Sequence, residues 1–378
     1  MENIATKRYD YIDALRGFAI LGVVLVHTLQ LAIPTSDTLV KIVSEGARGV
    51  QLFYIASAMT LFLSMESKRE YEKKSVQNYF IRRFFRIAPA FYLAIIVYTA
   101  YDGFSPRFWA PNGIEWWFIL LTALFLHGWH PETITSVVPG GWSIAVEMTF
   151  YLLVPFLFSK LKDIKKTLAA IFLSLIISKI LSLAVVNFFS PYYPAKQQYL
   201  VSEYSSLWFF SQLPVFLLGI LLYHLINRYP REDKRTAFLL LLSSFFLFFA
   251  FLTVRTFGDL LPHHFLYGIA FVIFALSLYY WPQIFLVNRF TVLVGRISFS
   301  IYLVHFMVLN LIEKLLPDGL VLTGNLGFAL AYLLVLCPSI CIAYVTFKFI
   351  EAPGINLGRY VIRTYAKLNR ANEERVTQ

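Results

Sequence analysis

The chain has 378 residues, of which 58% are hydrophobic and only 15% are charged. That composition is too apolar for an ordinary water-soluble domain. The 33 Lys and Arg residues exceed the 22 Asp and Glu residues by 11, and in a membrane protein such an excess first marks the cytoplasmic side. Because no soluble basic domain carries the excess, it does not indicate nucleic-acid binding.

Eleven apolar runs follow one another along the chain. They are 11–32, 49–65, 87–101, 115–130, 140–158, 166–188, 206–227, 236–254, 264–281, 297–315 and 326–349. The strongly basic loops between them all lie on the same side of the membrane provided that 115–130 and 140–158 together make a single crossing. We therefore predict that 115–130 is interfacial or re-entrant at the outer side. The sequence predicts an all-α polytopic membrane protein with about ten transmembrane helices and both termini cytoplasmic.

The domain organisation is simple, since the sequence contains no internal repeat and no low-complexity segment. We predict one transmembrane domain over residues 1–358 and a basic cytoplasmic tail over 359–378. No further globular domain is predicted.

The first apolar run carries an arginine at its start and a histidine near its end. Arg16 and His27 are eleven residues apart, about three helical turns, so both side chains lie on one face, with His27 about 16 Å deeper along the axis. An ionisable group at that depth is costly and is usually functional. The alternative is that Arg16 extends to the lipid headgroups and His27 is a hydrogen-bonded packing residue.

Three arginines precede the third run at the predicted cytoplasmic surface. Arg82 and Arg86 are four residues apart and Arg83 and Arg86 are three apart, so they share a helical face. Arginine side chains suit phosphate groups. The alternative interpretation is simple anchoring by positive charge at the inner surface.

Two later stretches place further polar side chains inside the predicted bilayer. Glu147 lies about 9 Å below the start of its run, and His305 lies about 13 Å from the start of its own, on the same face as Tyr302. His27, Glu147 and His305 thus reach similar depths from three unrelated stretches. This coincidence favours a functional cavity over independent packing contacts.

The sequence does not predict a metal site. Cys337 and Cys341 lie one helical turn apart within an apolar run, and the adjacent His263 and His264 are too few ligands to indicate zinc. Phosphate-loop and dinucleotide-binding motifs are also missing.

Together these stretches resemble acyltransferase family 3, the membrane O-acyltransferases that modify bacterial surface polysaccharides and related acceptors. The sequence departs from the family pattern at Gln51, where an Asp is common, and at Ala58, where a Gly is common. The matching motifs are Leu15-Arg16-Gly17 with His27, Arg83-x-x-Arg86 before Pro89, Trp142-Ser143-Ile144 with Glu147 and Phe150-Tyr151, Tyr302-Leu303-Val304-His305, and Glu351-Ala352-Pro353.

The resemblance implies acyl-CoA, usually acetyl-CoA, as a co-substrate, with no permanently bound cofactor. The phosphates of CoA would then bind to Arg82, Arg83 and Arg86 at the inner surface. The thin pantetheine arm would thread between helices and present the thioester at mid-depth.

The resemblance also implies catalytic roles for buried side chains. His27 would deprotonate the acceptor hydroxyl as general base, and Glu147 would orient or stabilise the imidazolium. Either Tyr302 or His305 would hydrogen-bond the thioester carbonyl, and Arg16 belongs to the same predicted catalytic group. A covalent acyl-His27 intermediate is the alternative chemistry, and spacing does not separate the two.

The predicted function is therefore transfer of an acyl group, first of all acetyl, to a hydroxyl of a cell-surface sugar or lipid-linked oligosaccharide. Such a protein lies in the bacterial plasma (inner) membrane as a multi-pass protein within the lipid bilayer. The main alternative is a transporter or flippase of a glycan or lipid, which uses buried Arg, His and Glu residues in a similar way. A purely structural role in a polysaccharide-synthesis complex is the third hypothesis.

Overall fold

The computed structural model describes residues 2–69, 72, 74–230, 233–254, 261–316 and 322–376. Within these ranges the chain is built from α-helices and short helical turns, and it forms no β-strand there. The helices are α1 (Glu2–His27), α2 (Asp37–Ser44), α3 (Gly49–Arg69), α4 (Ser75–Asp102), α5 (Trp116–Ala123), α6 (Trp142–Lys160), α7 (Ile164–Phe189), α8 (Gln198–Leu207), α9 (Phe209–Arg228), α10 (Lys234–Thr253), α11 (His263–Tyr280), α12 (Arg289–Arg296), α13 (Ser298–Leu315), α14 (Gly324–Thr346) and α15 (Ala352–Val376).

Ten helical segments in the described part of the chain are long and apolar enough to cross a bilayer. This confirms the predicted all-α fold with about ten helices able to span a membrane. Since consecutive crossings alternate in direction, the end of α3, the start of α4, the end of α6 and the start of α7 lie at one end of the bundle. We call that end the basic face and the opposite end the far face. The basic residues of the basic face include Lys68, Arg69, Lys74, Arg82, Lys160, Lys162, Lys165 and Lys166.

The segment 115–130 is not one of the ten apolar spans. Its helix α5 has eight residues and is about 12 Å long, far shorter than a bilayer core. After α5 the chain turns back at Phe125, whose φ is +60°. The segment then passes through a single helical turn at His127–Trp129. These elements agree with the predicted single crossing for this part of the sequence.

His127 fixes this turning segment in place. Its ring is almost fully buried, stacks on Phe91 at 5.7 Å between centroids, and contacts the carbonyl oxygen of Gly141 at 3.0 Å through Nε2. A carbonyl only accepts, so Nε2 carries the proton of the neutral ring. Burial lowers the pKa of His127 to about 4. The imidazole therefore stays neutral at physiological pH and serves as a structural hydrogen-bond donor.

Helix α1 is the element on which the other helices are assembled, because small residues let them approach its backbone closely. It packs against α3, α12 and α13. A Cβ atom built on Gly295 of α12 would overlap the carbonyl oxygen of Asp13, and one on Gly17 would overlap that of Thr291. On the other side of α1, Gly49 is packed just as closely against Ala19. Such contacts are typical of helices that associate within a membrane.

The C-terminal helices are continuous across the predicted domain boundary. α14 ends at Thr346, and a π-helical turn over Phe347–Glu351 leads directly into α15. Gly354 and Gly358 of α15 lie against α4, where side-chain atoms at either position would contact Phe85. The predicted basic tail 359–378 thus begins within α15, and its last two residues lie outside the described part of the chain.

The close contact of α12 with α1 gives a first prediction. Gly295→Ala should destabilise the protein by about 1–3 kcal/mol, because the added methyl group has no space and the helices must separate. Ala169→Val is the matched control, since it adds carbon at an exposed position of α7. Thermal unfolding of the detergent-solubilised variants measures both effects. An unchanged unfolding midpoint for Gly295→Ala would show that α1 and α12 do not pack as described.

Candidate functional site

A small cavity of about 70 Å³ lies among α1, α3, α4, α6 and α13. Three guanidinium groups line it, from Arg16, Arg83 and Arg86. Of its described lining residues only Glu147 is acidic, and hydroxyl groups complete the polar surface. We call it the arginine cavity. The excess of positive over negative side chains suits it to an anion.

The arginines differ in how far their charges are already paired. Arg16 is 3.5 Å from Asp13 and donates a hydrogen bond of 3.1 Å to Thr60. For Arg83 and Arg86 no carboxylate lies within 4 Å among the described residues. The guanidinium of Arg83 instead faces the rings of Tyr79 and Tyr151, each centroid 5.9 Å away. Arg83 and Arg86 are therefore the cations left to balance a bound anion.

Arg82, the third arginine of the predicted phosphate-binding group, points elsewhere. Its guanidinium donates to both carboxylate oxygens of Glu72, at 2.9 and 3.0 Å. It does not line the arginine cavity. Although Arg82 and Arg86 share a helical face, Glu72 draws Arg82 toward the loop that precedes α4.

Glu147 lies in the arginine cavity and not beside His27, so the sequence-based idea that it orients the imidazolium needs correction. One carboxylate oxygen accepts hydrogen bonds of 2.6 Å from the hydroxyls of both Ser57 and Tyr151. The reason is the four-residue spacing along α6, which turns Glu147 and Tyr151 together toward α3 and α4. Glu147 offsets the charge of the arginines at this position.

Glu351, which the sequence presents only as part of a motif, is a second carboxylate near the arginines and is buried. It is 1% exposed and accepts a hydrogen bond of 2.9 Å from Ser300. The positive charges of Arg86 and Arg16 attract its carboxylate. The π-helical turn between α14 and α15 places it there. Its signal in the sequence was a carboxylate directly following an apolar run.

A larger cavity of about 770 Å³ opens toward the far face. We call it the histidine cavity, because His27 lies in its wall. Its other lining residues combine aromatic rings with amide and charged groups, a mixture that stacks on and hydrogen-bonds a polar ligand. They include Gln30, Asp102, Arg107, Phe108, Trp109, Trp142 and Asn310. Trp142 belongs to a motif noted in the sequence, but the others were not identified there, since the set comes from four separate segments.

Arg107 is a fixed part of this wall. It lies 3.7 Å from the carboxylate of Asp102 and donates to the backbone carbonyls of Asp102, Gly103 and Ser136, the last at 3.4 Å. These bonds tie the loop after α4 to the segment before α6. Arg107 thus links two segments that both line the histidine cavity.

His27 and His305, for which the sequence predicted similar depths, lie side by side. Their ring centroids are 5.4 Å apart, and each lies 4.3 Å from the ring of Phe306. His305 is fully buried and lines neither cavity. Its Nδ1 contacts the Tyr302 carbonyl oxygen at 2.8 Å, which leaves the proton on Nδ1 and a lone pair on Nε2. His27 is the member of the pair that a ligand can reach.

The two cavities share a wall made by two side chains, Val50 of α3 and Tyr302 of α13. The Tyr302 hydroxyl donates to the carbonyl oxygen of Gly140 at 2.8 Å and accepts from the hydroxyl of Ser143 at 2.7 Å. Gly140 has φ +74°, and a Cβ there would come within 2.8 Å of that hydroxyl. Glycine is therefore needed where the ring closes on the start of α6.

The structure thus brings Arg16, Arg83, Arg86, Glu147 and Tyr302 together around the arginine cavity. His27 lies on the other side of Tyr302, and His305 packs behind His27. Arg82 stands apart from both cavities. The two groups of predicted residues are separate but adjacent, which allows one ligand on each side of the shared wall.

Several known proteins resemble this chain over most of its length. A protein of Staphylococcus aureus strain COL, provisionally named an O-acetyltransferase, is 24% identical over 394 aligned residues, covering 92% of this chain and 58% of that protein. A protein of Acidianus two-tailed virus, provisionally named an acetyltransferase, is 26% identical and covers 85% of this chain and 89% of its own length. The chain therefore spans less than three fifths of the staphylococcal relative.

A further relative matches over a shorter region. The peptidoglycan O-acetyltransferase OatA of Listeria monocytogenes is 27% identical over 175 residues, which is 42% of this chain and 26% of that protein. No solved structure matches the chain at a significant level. The family model of acyltransferase family 3, described as an acyltransferase domain, matches residues 9–348. Because that match covers nearly the whole sequence, the chain belongs to acyltransferase family 3.

Proposed function

We propose that this protein transfers an acyl group, acetyl first of all, from cytosolic acyl-CoA to a sugar hydroxyl on the opposite side of the membrane. The observation that carries the proposal is the wall shared by the two cavities. An arginine-lined cavity toward the basic face and a histidine-lined cavity toward the far face meet at Tyr302. A donor on one side and an acceptor on the other can react there without either crossing the bilayer.

The donor end of the proposal rests on charge and shape. Arg83 and Arg86 carry charges that no described carboxylate pairs, and guanidinium groups bind phosphate in two-point contacts. The arginine cavity is too small for a nucleotide, so the phosphates and base of CoA would stay at the basic face. Only the thin pantetheine arm would enter, past Arg83 and Arg86 and toward Tyr302.

The distances along α1 fit such an arm. Arg16 lines the arginine cavity and His27 lies eleven residues further along one helix, a rise of about 16 Å. A donor anchored by its phosphates near the arginines therefore presents its thioester close to the histidine cavity. Arg16, already partly paired with Asp13, would position the arm and leave phosphate binding to the other two arginines.

The proposed reaction is transfer of an acyl group from the CoA thioester to the acceptor hydroxyl. His27 accepts the proton of the acceptor hydroxyl, and the oxygen attacks the thioester carbonyl. The Tyr302 hydroxyl, the polar group common to both cavities, donates to the oxyanion as it forms. The carbon–sulfur bond breaks, an ester carbon–oxygen bond remains, and the leaving thiolate takes the proton from His27. CoA thus leaves as the free thiol.

Three other predicted residues would support this chemistry without contacting the reacting atoms. His305 would orient His27, because their rings pack together against Phe306. Glu147 would hold the arginines in place by offsetting their charge. Arg82, whose charge is balanced by Glu72, would hold the loop before α4 in place beside the donor site.

The acceptor would be a sugar of a cell-surface glycan or a lipid-linked oligosaccharide. Carbohydrates are bound by aromatic rings together with polar side chains. The histidine cavity offers both, from Trp109, Trp142, Asp102 and Asn310. The Listeria relative is named for O-acetylation of peptidoglycan, which is also a sugar polymer. We place the protein in a bacterial inner membrane with the basic face and both termini in the cytoplasm.

Donor binding can be tested apart from transfer. Acetyl-CoA at about a hundred times its Kd should stabilise the purified protein by about 2.7 kcal/mol, seen as a raised unfolding midpoint. Arg83→Gln combined with Arg86→Gln should remove this stabilisation, whereas the control Arg228→Gln combined with Lys234→Gln should keep it. A glycan or lipid carrier has no reason to bind CoA. If the wild type is not stabilised, acyl-CoA is not the donor.

His27→Gln should lower transfer at least about 100-fold, because the general base is lost. The same variant should keep its stabilisation by acetyl-CoA, since His27 lies outside the arginine cavity. Mass spectrometry of host glycans measures transfer as the mass increment of an acetyl group, and His263→Gln is the control. Normal acetylation by His27→Gln would exclude this mechanism.

The proposed orientation gives a separate prediction. In a Cys337→Ser, Cys341→Ser background, a cysteine introduced by Ser202→Cys should react with a membrane-impermeant maleimide on intact cells. One introduced by Ser159→Cys should react only after permeabilisation, because it lies at the basic face. The opposite labelling pattern would reverse the assigned topology.

A further inference from the structure

We propose that Val50 sets the size of the acyl group that this protein transfers, because it is the fixed half of a gate whose movable half is Tyr302. The inference rests on the proposed function and extends it to specificity. In the structure the two side chains are the only described residues that line both cavities. Whatever passes from the arginine cavity to the histidine cavity passes between them.

The Val50 side of the gate is rigid. Val50 is the second residue of α3 and is 6% exposed. Its neighbour Gly49 lies so close to α1 that a Cβ atom there would overlap the carbonyl oxygen of Ala19. The backbone of α3 therefore cannot move toward α1 at this point. A β-branched side chain is also restricted about χ1, so the position of the Val50 methyl groups is well defined.

The Tyr302 side is held by hydrogen bonds that are easily replaced. Its hydroxyl donates to the Gly140 carbonyl and accepts from Ser143. The Ser143 hydroxyl is also 3.2 Å from the same Gly140 oxygen. When Tyr302 turns away, Ser143 can donate to Gly140 in its place. Neither partner is then left buried without a hydrogen bond, which keeps opening of the gate inexpensive.

Opening also prepares the hydroxyl for catalysis. While the gate is closed, the single proton of the Tyr302 hydroxyl is used in the bond to Gly140. Once that bond is broken, the same proton is free to be donated to the thioester oxygen. Admission of the acyl group and stabilisation of the oxyanion thus follow from one side-chain movement. The passage itself makes and breaks no covalent bond.

The size limit follows from this geometry. An acetyl group presents one methyl to the Val50 methyl groups, whereas each further methylene must displace them or the Tyr302 ring. One methylene more or less in an apolar pocket changes discrimination by about 10–200-fold. A shorter side chain at position 50 should therefore admit longer acyl groups.

The proposal can be tested in everted membrane vesicles from the host. They are supplied with acetyl-CoA, propionyl-CoA or butyryl-CoA, and acylation of the vesicle glycans is measured by mass spectrometry. Val50→Ala should raise the ratio of butyryl to acetyl transfer at least tenfold. Val154→Ala is the matched control, because Val154 is also buried but lines neither cavity. Its ratio should equal that of the wild type. An unchanged ratio in Val50→Ala would overturn the proposal.

Two further variants separate width from chemistry. Val50→Ile should lower the ratio while acetyl-CoA still stabilises the protein. Tyr302→Phe should reduce transfer of every acyl group by a similar factor and leave the ratio unchanged, because the ring keeps its size. If the wild type transfers acetyl groups but all Val50 variants share its ratio, only the gate proposal fails. If the wild type neither binds acetyl-CoA nor transfers, the proposed function fails and the gate proposal with it.

Discussion

Arginine side chains buried between membrane helices are costly, since hydrocarbon offers nothing to hydrate them. The arrangement around Arg16, Arg83 and Arg86 is governed by that constraint. Glu147, Glu351 and Asp13 supply negative charge, the Thr60 hydroxyl accepts a hydrogen bond from Arg16, and the rings of Tyr79 and Tyr151 face Arg83. The compensation is incomplete, because Arg83 and Arg86 have no carboxylate within 4 Å among the described residues. An incompletely compensated cluster is stable only if surrounding helices hold it firmly, and it gains most from a bound anion.

The firm packing comes from α1. Gly17 and Gly295 allow α12 to touch its backbone, and Gly49 allows α3 to do the same on another side. Because α1 carries both Arg16 and His27, the same contacts that fix the helix also fix the separation between the two cavities. Lipid provides no strong hydrophobic drive for helix association. Close backbone contact at glycine therefore sets the distance between Arg16 in the arginine cavity and His27 in the histidine cavity.

Much of the helix arrangement could be predicted from the sequence, because it follows from the lengths of apolar runs and from residue spacing along single helices. Apolar runs about as long as the bilayer is thick, together with basic loops, predicted ten crossings and the short segment at 115–130. Helical periodicity predicted that Arg16 and His27 share a face and that His27 and His305 reach similar depths. The partners of Glu147 and Arg82 were not accessible in this way. Both depend on which neighbouring helix a face turns toward, and on a loop residue, Glu72, whose position no periodicity encodes.

The shared wall was missed for a different reason. Val50 is one apolar residue among many, and nothing in its neighbourhood of the sequence sets it apart. It becomes distinctive only because α3 begins where α1, α6 and α13 converge, so that its side chain faces two cavities at once. Tyr302, by contrast, was identified from its spacing with His305, but as an alternative to that histidine in one role. The structure separates them by access: Tyr302 faces both cavities, and His305 faces neither. A donor that approaches through the arginine cavity, as we propose, therefore meets the Tyr302 hydroxyl before it reaches the imidazole of His27.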